Sequence, residues 1–358
     1  LVAVPLDSQT WEKEVWSVGR FTDAKAMLLS EKCLKRLSEE GLRENEHSEN
    51  PVMLLNVNNF CEPHRIDGYP VSSKPQVKIP VSEDFQLPEV KPGDEASIIF
   101  TTGTAADPKG AVHVHRNFLN NLRGANHYLF LSESDQLLSV LPLYHALEFT
   151  CGFLAVLYCC ATVTYLHSMK PRVILETMRE TGTTCLLGVP TLFALIREDI
   201  ERRILKVSKS PLKSNWMATS KRLSHSVKRR LGRDIGQQLF AKVHSEFGGR
   251  IRIFVSGGSG LGQGLYRDFA ALGMPIYEGY GLTETAPVLT VNPLHRSREG
   301  SAGKPLPGVE LRLSHPDHDG IGEIVVRTPS LFKEYYRNPE ATAAVMNNGW
   351  FNTGDLGW

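Results

Sequence analysis

Short apolar runs alternate with longer amphipathic stretches along most of the chain. Residues 24–29 and 52–57 predict strands, and residues 8–18 and 31–42 predict helices, the first capped by Ser8 or Thr10. Prolines punctuate residues 45–92 and mark that stretch as mostly loop. The run Ala96, Ile98, Ile99 and Phe100 predicts a buried strand that stops abruptly at Thr101. A second β-branched run follows Gly110, and residues 116–128 predict a helix. Strands at 136–141, 183–189, 251–255 and 275–278 are then expected, with helices at 173–179 and 191–204. Strand and helix in alternation predict a parallel sheet covered on both faces. After Gly300, short strands at 309–313 and 322–327 separated by turns predict a small β-subdomain. The expected fold class is α/β: predominantly parallel sheets covered by helices over residues 1–299, and the β-subdomain over residues 300–358.

Three of these strands end in small and hydroxyl-bearing residues: TTGTAADPKG (101–110), SGGSGLG (256–262) and GYGLTETAP (279–287). Turns of this kind at the ends of parallel strands gather on one sheet edge, where α/β ligand sites form. Small residues let the backbone approach a ligand, hydroxyls and N–H groups can donate to phosphate oxygens, and Lys109 adds a point charge. The order G-x-x-x-x-G-K-[ST] is absent, so this is not a Walker A loop. Taken singly, the first stretch is equally a surface turn between two strands, Glu284 a helix-start acid, Tyr280 a core aromatic and His145 a structural histidine.

At 358 residues the chain is long enough for two subdomains, and a net charge of +1 selects no partner. Its six cysteines show no C-x-x-C spacing and read as reduced, which suits a cytoplasmic compartment. No signal peptide is visible. The most apolar window, 149–166, is interrupted by Gly152, Thr162 and Thr164 and reads as buried core rather than a membrane span. Residues 206–233 carry Lys and Arg with no Asp or Glu. They read as a solvated helical excursion or, more sharply, as a peripheral contact with anionic membrane. The lone aromatic there, Trp216, argues against nucleic acid. Both ends read as cut: residues 1–5 look like a strand entered midway, and residues 349–358 stop in a Gly- and Trp-rich stretch.

Five strings occur in one order: FTTGTAADPKG, SGGSGL, YEGYGLTETAP, GIGEIVVRTPSLFKEYYRNPEAT and GWFNTGDLGW. The series resembles the adenylate-forming ligases, the superfamily of acyl-CoA synthetases, luciferases and peptide-synthetase adenylation domains. The run LPLYHALEFTCGF and the basic stretch after VPTLF look most like bacterial long-chain fatty acyl-CoA synthetases. The resemblance implies ATP-dependent activation of a carboxylic acid, here a fatty acid, to an acyl-adenylate and then to acyl-CoA. ATP, Mg²⁺ and coenzyme A are the implied cofactors and co-substrates. It places Thr101, Thr102, Gly103, Thr104 and Lys109 over the ATP phosphates, Thr283 on phosphate, and Glu284 on the metal. Gly257, Gly258 and Ser259 would flank adenine and the acyl pocket. Tyr280 would stack on adenine with Gly281 beside it, Asp355 would bind the ribose, and His145 would sit over the acyl carboxylate.

Departures from the family pattern are visible. Ala105 and Ala106 stand where Thr and a second Gly are usual, Thr102 stands for Ser, and Thr328 and Glu334 replace common glycines. Ala106 forfeits easy access to positive φ. The family's C-terminal domain, which carries a catalytic lysine, would follow Asp355, so the chain reads as the large N-terminal domain alone. One alternative is an amino- or aryl-acid adenylating enzyme, although the F-D-x-S-like string of amino-acid activators is absent and this region holds only Glu148. The other is a non-catalytic nucleotide-binding remnant.

Overall fold

The computed structural model describes residues 2–7, 12–30, 33, 36–38, 42, 48, 53–56, 88–101, 109–166, 168–206, 220, 223–224, 235–294 and 296–358. These fall into two compact units, Leu6–Val90 and Leu1–Pro5 with Lys91–Trp358. In the smaller unit, helix α1 (Glu12–Phe21) has Glu12 and Glu14 in its first turn and Arg20 in its last, each favourable to the helix dipole. Strand β1 (Ala26–Leu29) pairs in parallel with β2 (Met53–Asn56). The expected caps Ser8 and Thr10, and most of the helix expected at 31–42, lie outside the described residues.

The larger unit begins with the hairpin β3 (Glu95–Phe100) and β4 (Gly110–Val114), paired so that Ile99 faces Ala111 and Phe100 faces Gly110. Helix α2 (His115–Leu129) follows without a loop and ends on Phe130, whose φ is 50°. Strand β5 (Gln136–Ser139) leads to a π-helical turn, Glu148–Leu154, and helix α3 (Ala155–Tyr158). The chain continues through β6 (Thr162–Tyr165), α4 (Pro171–Thr181), β7 (Cys185–Gly188) and α5 (Pro190–Lys206). Next come α6 (Gly236–Leu239), α7 (Ala241–Glu246), β8 (Ile253–Ser256), α8 (Gln263–Ala271) and β9 (Ile276–Gly281). Strands β10 (Val288–Val291), β11 (Lys304–Pro305), β12 (Glu310–Ser314), β13 (Gly322–Arg327) and β14 (Glu334–Tyr335) follow. Helix α9 (Pro339–Val345), β15 (Met346–Asn347) and β16 (Trp350–Gly357) complete the unit.

Seven strands form the central sheet in the order β11-β10-β9-β8-β7-β5-β6. It is parallel from β6 through β9, and β10 and β11 add antiparallel strands at one edge. The expected parallel sheet is therefore present with an antiparallel margin. One sheet face carries a core in which Phe193, Phe254 and Phe269 meet edge to face, with ring centroids 5.6–5.9 Å apart. Residues 300–358 hold a four-stranded sheet, β12-β13-β16-β15, and also lend β11 to the central sheet and β14 to the β3–β4 hairpin.

Two expectations are corrected. The turn expected at Gly279–Gly281 is strand, because β9 runs through Gly281 to pair with β10. The strand before Thr101 belongs to the three-stranded sheet β14-β4-β3, so the three turns meet from two sheets rather than along one edge. The apolar window 149–166 is a π turn, a short helix and an edge strand, and no helix among the described residues is long and apolar enough to cross a membrane.

At their far ends β5, β7 and β8 are pinned by an ion pair. Arg252 Nε donates to Asp135 Oδ1 at 2.8 Å, Thr184 Oγ1 to the same oxygen at 2.7 Å, and the Ser132 N–H to Oδ2 at 2.8 Å. Burial alone would raise the Asp135 carboxyl, but these donors hold it well below the usual carboxylate range. Removing one member of a buried pair typically costs about 3–5 kcal/mol, and the partial exposure of Arg252 sets the expectation at the low end. Asp135→Asn should lose that much in a denaturant melt at pH 7. A depressed carboxyl stabilises above its unfolded pKa, about 3.9, so the deficit should shrink as pH falls below 4. An equal deficit at pH 7 and pH 3 would show that the carboxylate charge is not what holds the strands.

Candidate functional site

Two parallel strands deliver the core of the site. After β8 the chain turns through Ser256, Gly257, Gly258 and Ser259, with Gly258 at φ 82°. Beside it, β9 carries Glu278 and Tyr280 into a 3₁₀ turn, Thr283–Thr285. Gly281 is required by a close approach, since a Cβ there would lie 1.8 Å from the Pro287 carbonyl oxygen. The two turns are tied together by Glu278, whose Oε1 accepts the Leu261 N–H at 2.9 Å. The β3–β4 hairpin contributes Thr101 and Lys109, which face each other at its base, the Thr101 N–H donating to the Lys109 carbonyl at 2.9 Å. Thr102, Gly103 and Thr104 of the expected phosphate loop, together with Ala105 and Ala106, lie outside the described residues.

These turns open onto one cavity of about 1400 Å³. Thr101, Lys109, His145, Gly257, Gly258, Ser259, Tyr280, Gly281, Thr283, Glu284 and Asp355 all line it, so every described site residue expected from sequence is gathered there. Glu284 is not the surface acid that its sequence position also allowed. It is 8% exposed, and the Tyr335 hydroxyl donates to its Oε1 at 2.6 Å. Lys109 Nζ lies 5.0 Å from the centroid of the same tyrosine ring. Burial raises the Tyr335 phenol, and the adjacent Glu284 carboxylate raises it further. Tyr280 donates through its hydroxyl to Asp355 Oδ2 at 2.8 Å, which bridges β9 and β16 across the cavity. Beneath the 3₁₀ turn, His113 is fully buried beside the Thr283 backbone, and burial pushes its imidazole down to about 4.

Sequence reasoning did not find Tyr335, Glu278 or Asn121. Tyr335 stands in the string KEYYRNPEAT, but nothing in that string points it at a residue 51 positions earlier. Glu278 sits inside a strand pattern, and Asn121 inside a helix pattern.

The cavity also runs back along the sheet. Leu137, Cys185 and Ile253 are partners in adjacent strands and line it, as do Val255 above them and Leu129 of α2. The row lies three residues before Ser256, about 10 Å at ~3.3 Å per strand residue. Leu147, Cys151 and Ala155 form the opposite wall at helical spacing. Glu148, one residue over, does not line the cavity. It is fully buried, accepts from Ser139 Oγ and packs on Gly152, where a Cβ would lie 2.3 Å from its carboxyl carbon. The Ser139–Glu148 bond closes the loop that carries His145, whose ring lies 4.2 Å from that of Tyr144. Among the described residues Cys33, Cys151, Cys159, Cys160 and Cys185 are free thiols, and burial followed by the Glu148 charge pushes Cys151 up to about 12.

Residues 1–336 match the AMP-binding enzyme family. The chain belongs to that family. Among curated relatives, a long-chain-fatty-acid–CoA ligase of Mycobacterium bovis is 30% identical over 288 residues, covering 78% of this chain and 47% of the relative. A malonate–CoA ligase of Arabidopsis thaliana is 30% identical over 280 residues, covering 74% and 40%. The chain thus spans about half the length of the curated relatives it matches. A solved malonyl-CoA ligase with methylmalonyl-CoA and AMP bound superposes with a TM-score of 0.70 at 26% identity, covering 99% of this chain and 64% of that one. The apo MatB structure from Rhodopseudomonas palustris has a TM-score of 0.71 at 24% identity over 99% of this chain and 61% of that one, and shows the shared fold.

Burial raises the Glu148 carboxyl to about 7, against a single hydrogen bond from Ser139 that lowers it. The folded state therefore holds a proton that the unfolded chain releases near pH 4.5, and stability falls as pH rises through this window. Glu148→Gln keeps an acceptor for Ser139 and removes the ionisation. It should be more stable than the parent at pH 8 by about 3 kcal/mol, with the gain vanishing toward pH 4.5. Paired melts at the two pH values read this directly, and a pH-independent difference would show that Glu148 does not titrate on folding.

Proposed function

We propose that this chain binds ATP and a fatty acid and serves the two-step activation of that acid. The acid's carboxylate attacks the ATP α-phosphorus and expels pyrophosphate, and coenzyme A thiolate then displaces AMP from the acyl-adenylate. The observation that carries the reading is one cavity that joins an apolar arm along the sheet to the β8 turn, Glu284 and the Tyr280–Asp355 pair. Catalysis of this kind needs positioning and charge stabilisation, with no covalent nucleophile.

The roles follow from the lining. Gly257, Gly258 and Ser259 let adenine and the acyl carboxylate lie against backbone. Tyr280 offers a ring face to adenine while its hydroxyl holds Asp355 for the ribose. Thr101, Lys109 and Thr283 donate to phosphate oxygens, and the family resemblance adds Thr102, Gly103 and Thr104, which lie outside the described residues. His145, in the same cavity wall, stands beside the acyl carboxylate. Glu284 suits a divalent magnesium ion: it is a carboxylate in the cavity wall with one oxygen already held by Tyr335, and a hard cation takes oxygen ligands. Bound there, the metal supplies neutralisation of phosphate charge.

The fatty acid is favoured over its rivals by what the arm lacks. Among the described residues, Leu129, Leu137, Cys185, Ile253, Val255, Cys151 and Ala155 offer no cation to a second carboxylate, the cavity's Lys109 and Arg298 lie outside this row, and Arg252 is engaged with Asp135. An amino-acid substrate needs an acid in the arm, and Glu148 is bonded to Ser139 behind the wall. The basic run at 206–233, a candidate contact with anionic lipid in a cytoplasmic protein, lies outside the described residues apart from the backbone of Lys206 and residues 220, 223 and 224.

Each buried CH₂ is worth about 0.8 kcal/mol, so acid affinity should rise about fourfold per carbon until the arm is full. Calorimetry with a series of fatty acids tests this, and affinities flat with chain length, or tighter binding of malonate, would refute the fatty-acid reading.

A further inference from the structure

The position of Tyr335 has a consequence that no motif supplies. Its hydroxyl donates to Glu284 Oε1 at 2.6 Å, and its ring face carries Lys109 Nζ at 5.0 Å from the centroid. Lys109 and Glu284 have opposite charges and line the same cavity, yet neither is ion-paired to the other. The phenol touches both, the cation over its ring and the carboxylate at its hydroxyl. A direct ion pair would neutralise the groups that a phosphate and its metal need.

We propose that Tyr335 is a positioning residue, fixing the Glu284 carboxylate for the metal through its hydroxyl and the Lys109 ammonium for phosphate through its ring. This rests on the reading of Glu284 as the magnesium ligand. The tyrosine is itself held in place. It is 5% exposed and lies on β14, which pairs with β4 so that Tyr335 faces Ala111, next to the base of the Lys109 loop. Phe332 packs on its ring with centroids 4.8 Å apart, and the Phe332 N–H donates to the Glu284 carbonyl at 2.7 Å. The following N–H, that of Tyr336, donates to the Gly110 carbonyl at 2.7 Å. The stretch from Phe332 through Tyr336 therefore fastens the ring to both segments whose charged groups it touches.

The two halves of the tyrosine separate by substitution. Tyr335→Phe keeps the ring and the cation contact and removes only the donor to Glu284. Groups that orient a metal ligand are typically worth about 10–100-fold in metal affinity. The magnesium concentration that half-saturates ATP binding, measured by calorimetry on the 358-residue chain, should rise roughly tenfold in Tyr335→Phe. ATP affinity without magnesium should stay within twofold, and the melting temperature within a few degrees. Tyr335→Leu, which also removes the ring, should in addition weaken magnesium-free ATP binding several-fold. Glu284→Gln is the control for the underlying reading. If it leaves the magnesium dependence unchanged, Glu284 is not the ligand and the reading beneath the proposal fails. If Glu284→Gln abolishes the dependence while Tyr335→Phe matches the parent, the metal reading stands and the role of Tyr335 is overturned. A Tyr335→Phe variant that loses melting temperature and magnesium-free affinity together would mark the hydroxyl as structural and equally overturn it.

Discussion

The side chain of Asn121 joins the helix layer to the sheet layer at the point where the site is built. Its Nδ2 donates to the carbonyls of Thr285 at 3.1 Å and Val288 at 2.7 Å, and its Oδ1 accepts the Val288 N–H at 3.3 Å. The residue is almost wholly buried, so each of these groups would be costly to leave unmade. The turn they fix carries Thr283 and Glu284 and reverses the chain from β9 into β10. Ala286 enters that reversal at φ 60°, which a non-glycine residue adopts only when its surroundings compel it. Asn117, one turn earlier on α2, grips the segment before β14 in the same way, donating to the carbonyls of Pro329 and Leu331 at 2.9 and 2.8 Å. One helix thus sets the spacing between the acidic turn and the tyrosine that bonds to it.

The apolar arm of the cavity is arranged by a different constraint. A π-helical turn spends one extra residue per turn, and at Glu148–Leu154 it holds Leu147, Cys151 and Ala155 on the cavity wall while Glu148 faces Ser139. Gly152 makes this possible, because any side chain there would occupy the space of the Glu148 carboxyl. A buried acid with one oxygen unpaired is a local cost, of the kind that persists next to functional sites. The Asp135–Arg252 pair lies one to two residues back along the strands that carry Leu137 and Ile253.

Much of this was legible from residue order. The apolar runs located β5, β7, β8 and β9 of the central sheet but not β6, β10 or β11, because a strand buried on both faces must be apolar throughout, as in CLLG of β7 and IFVS of β8, whereas strands at the sheet margins need not be. The glycine and hydroxyl residues at 256–259 and 279–285 marked the cavity wall, although 279–281 proved to be strand, because only small residues permit such close backbone approach. The sequence also determined which groups are available: one lysine, one acid of the YGLTE string and a terminal TGD.

Tertiary structure alone decided how those groups meet. Antiparallel continuation of β9 into β10 turned an expected loop into strand, since the pairing partner arrives only after the chain reverses. The hairpin bearing Lys109 joined a separate sheet with β14, a pairing between residues 111 and 335 that no local pattern encodes. Tyr335 and Glu284 are 51 residues apart and touch only because that strand is added. Glu148 could have been a pocket acid by its sequence position, and it is turned away only because Ser139 and Gly152 receive it. Periodicity and turn chemistry are local and can be read along the chain. The direction of a buried side chain depends on which distant backbone is packed against it, and that is fixed only when the layers close.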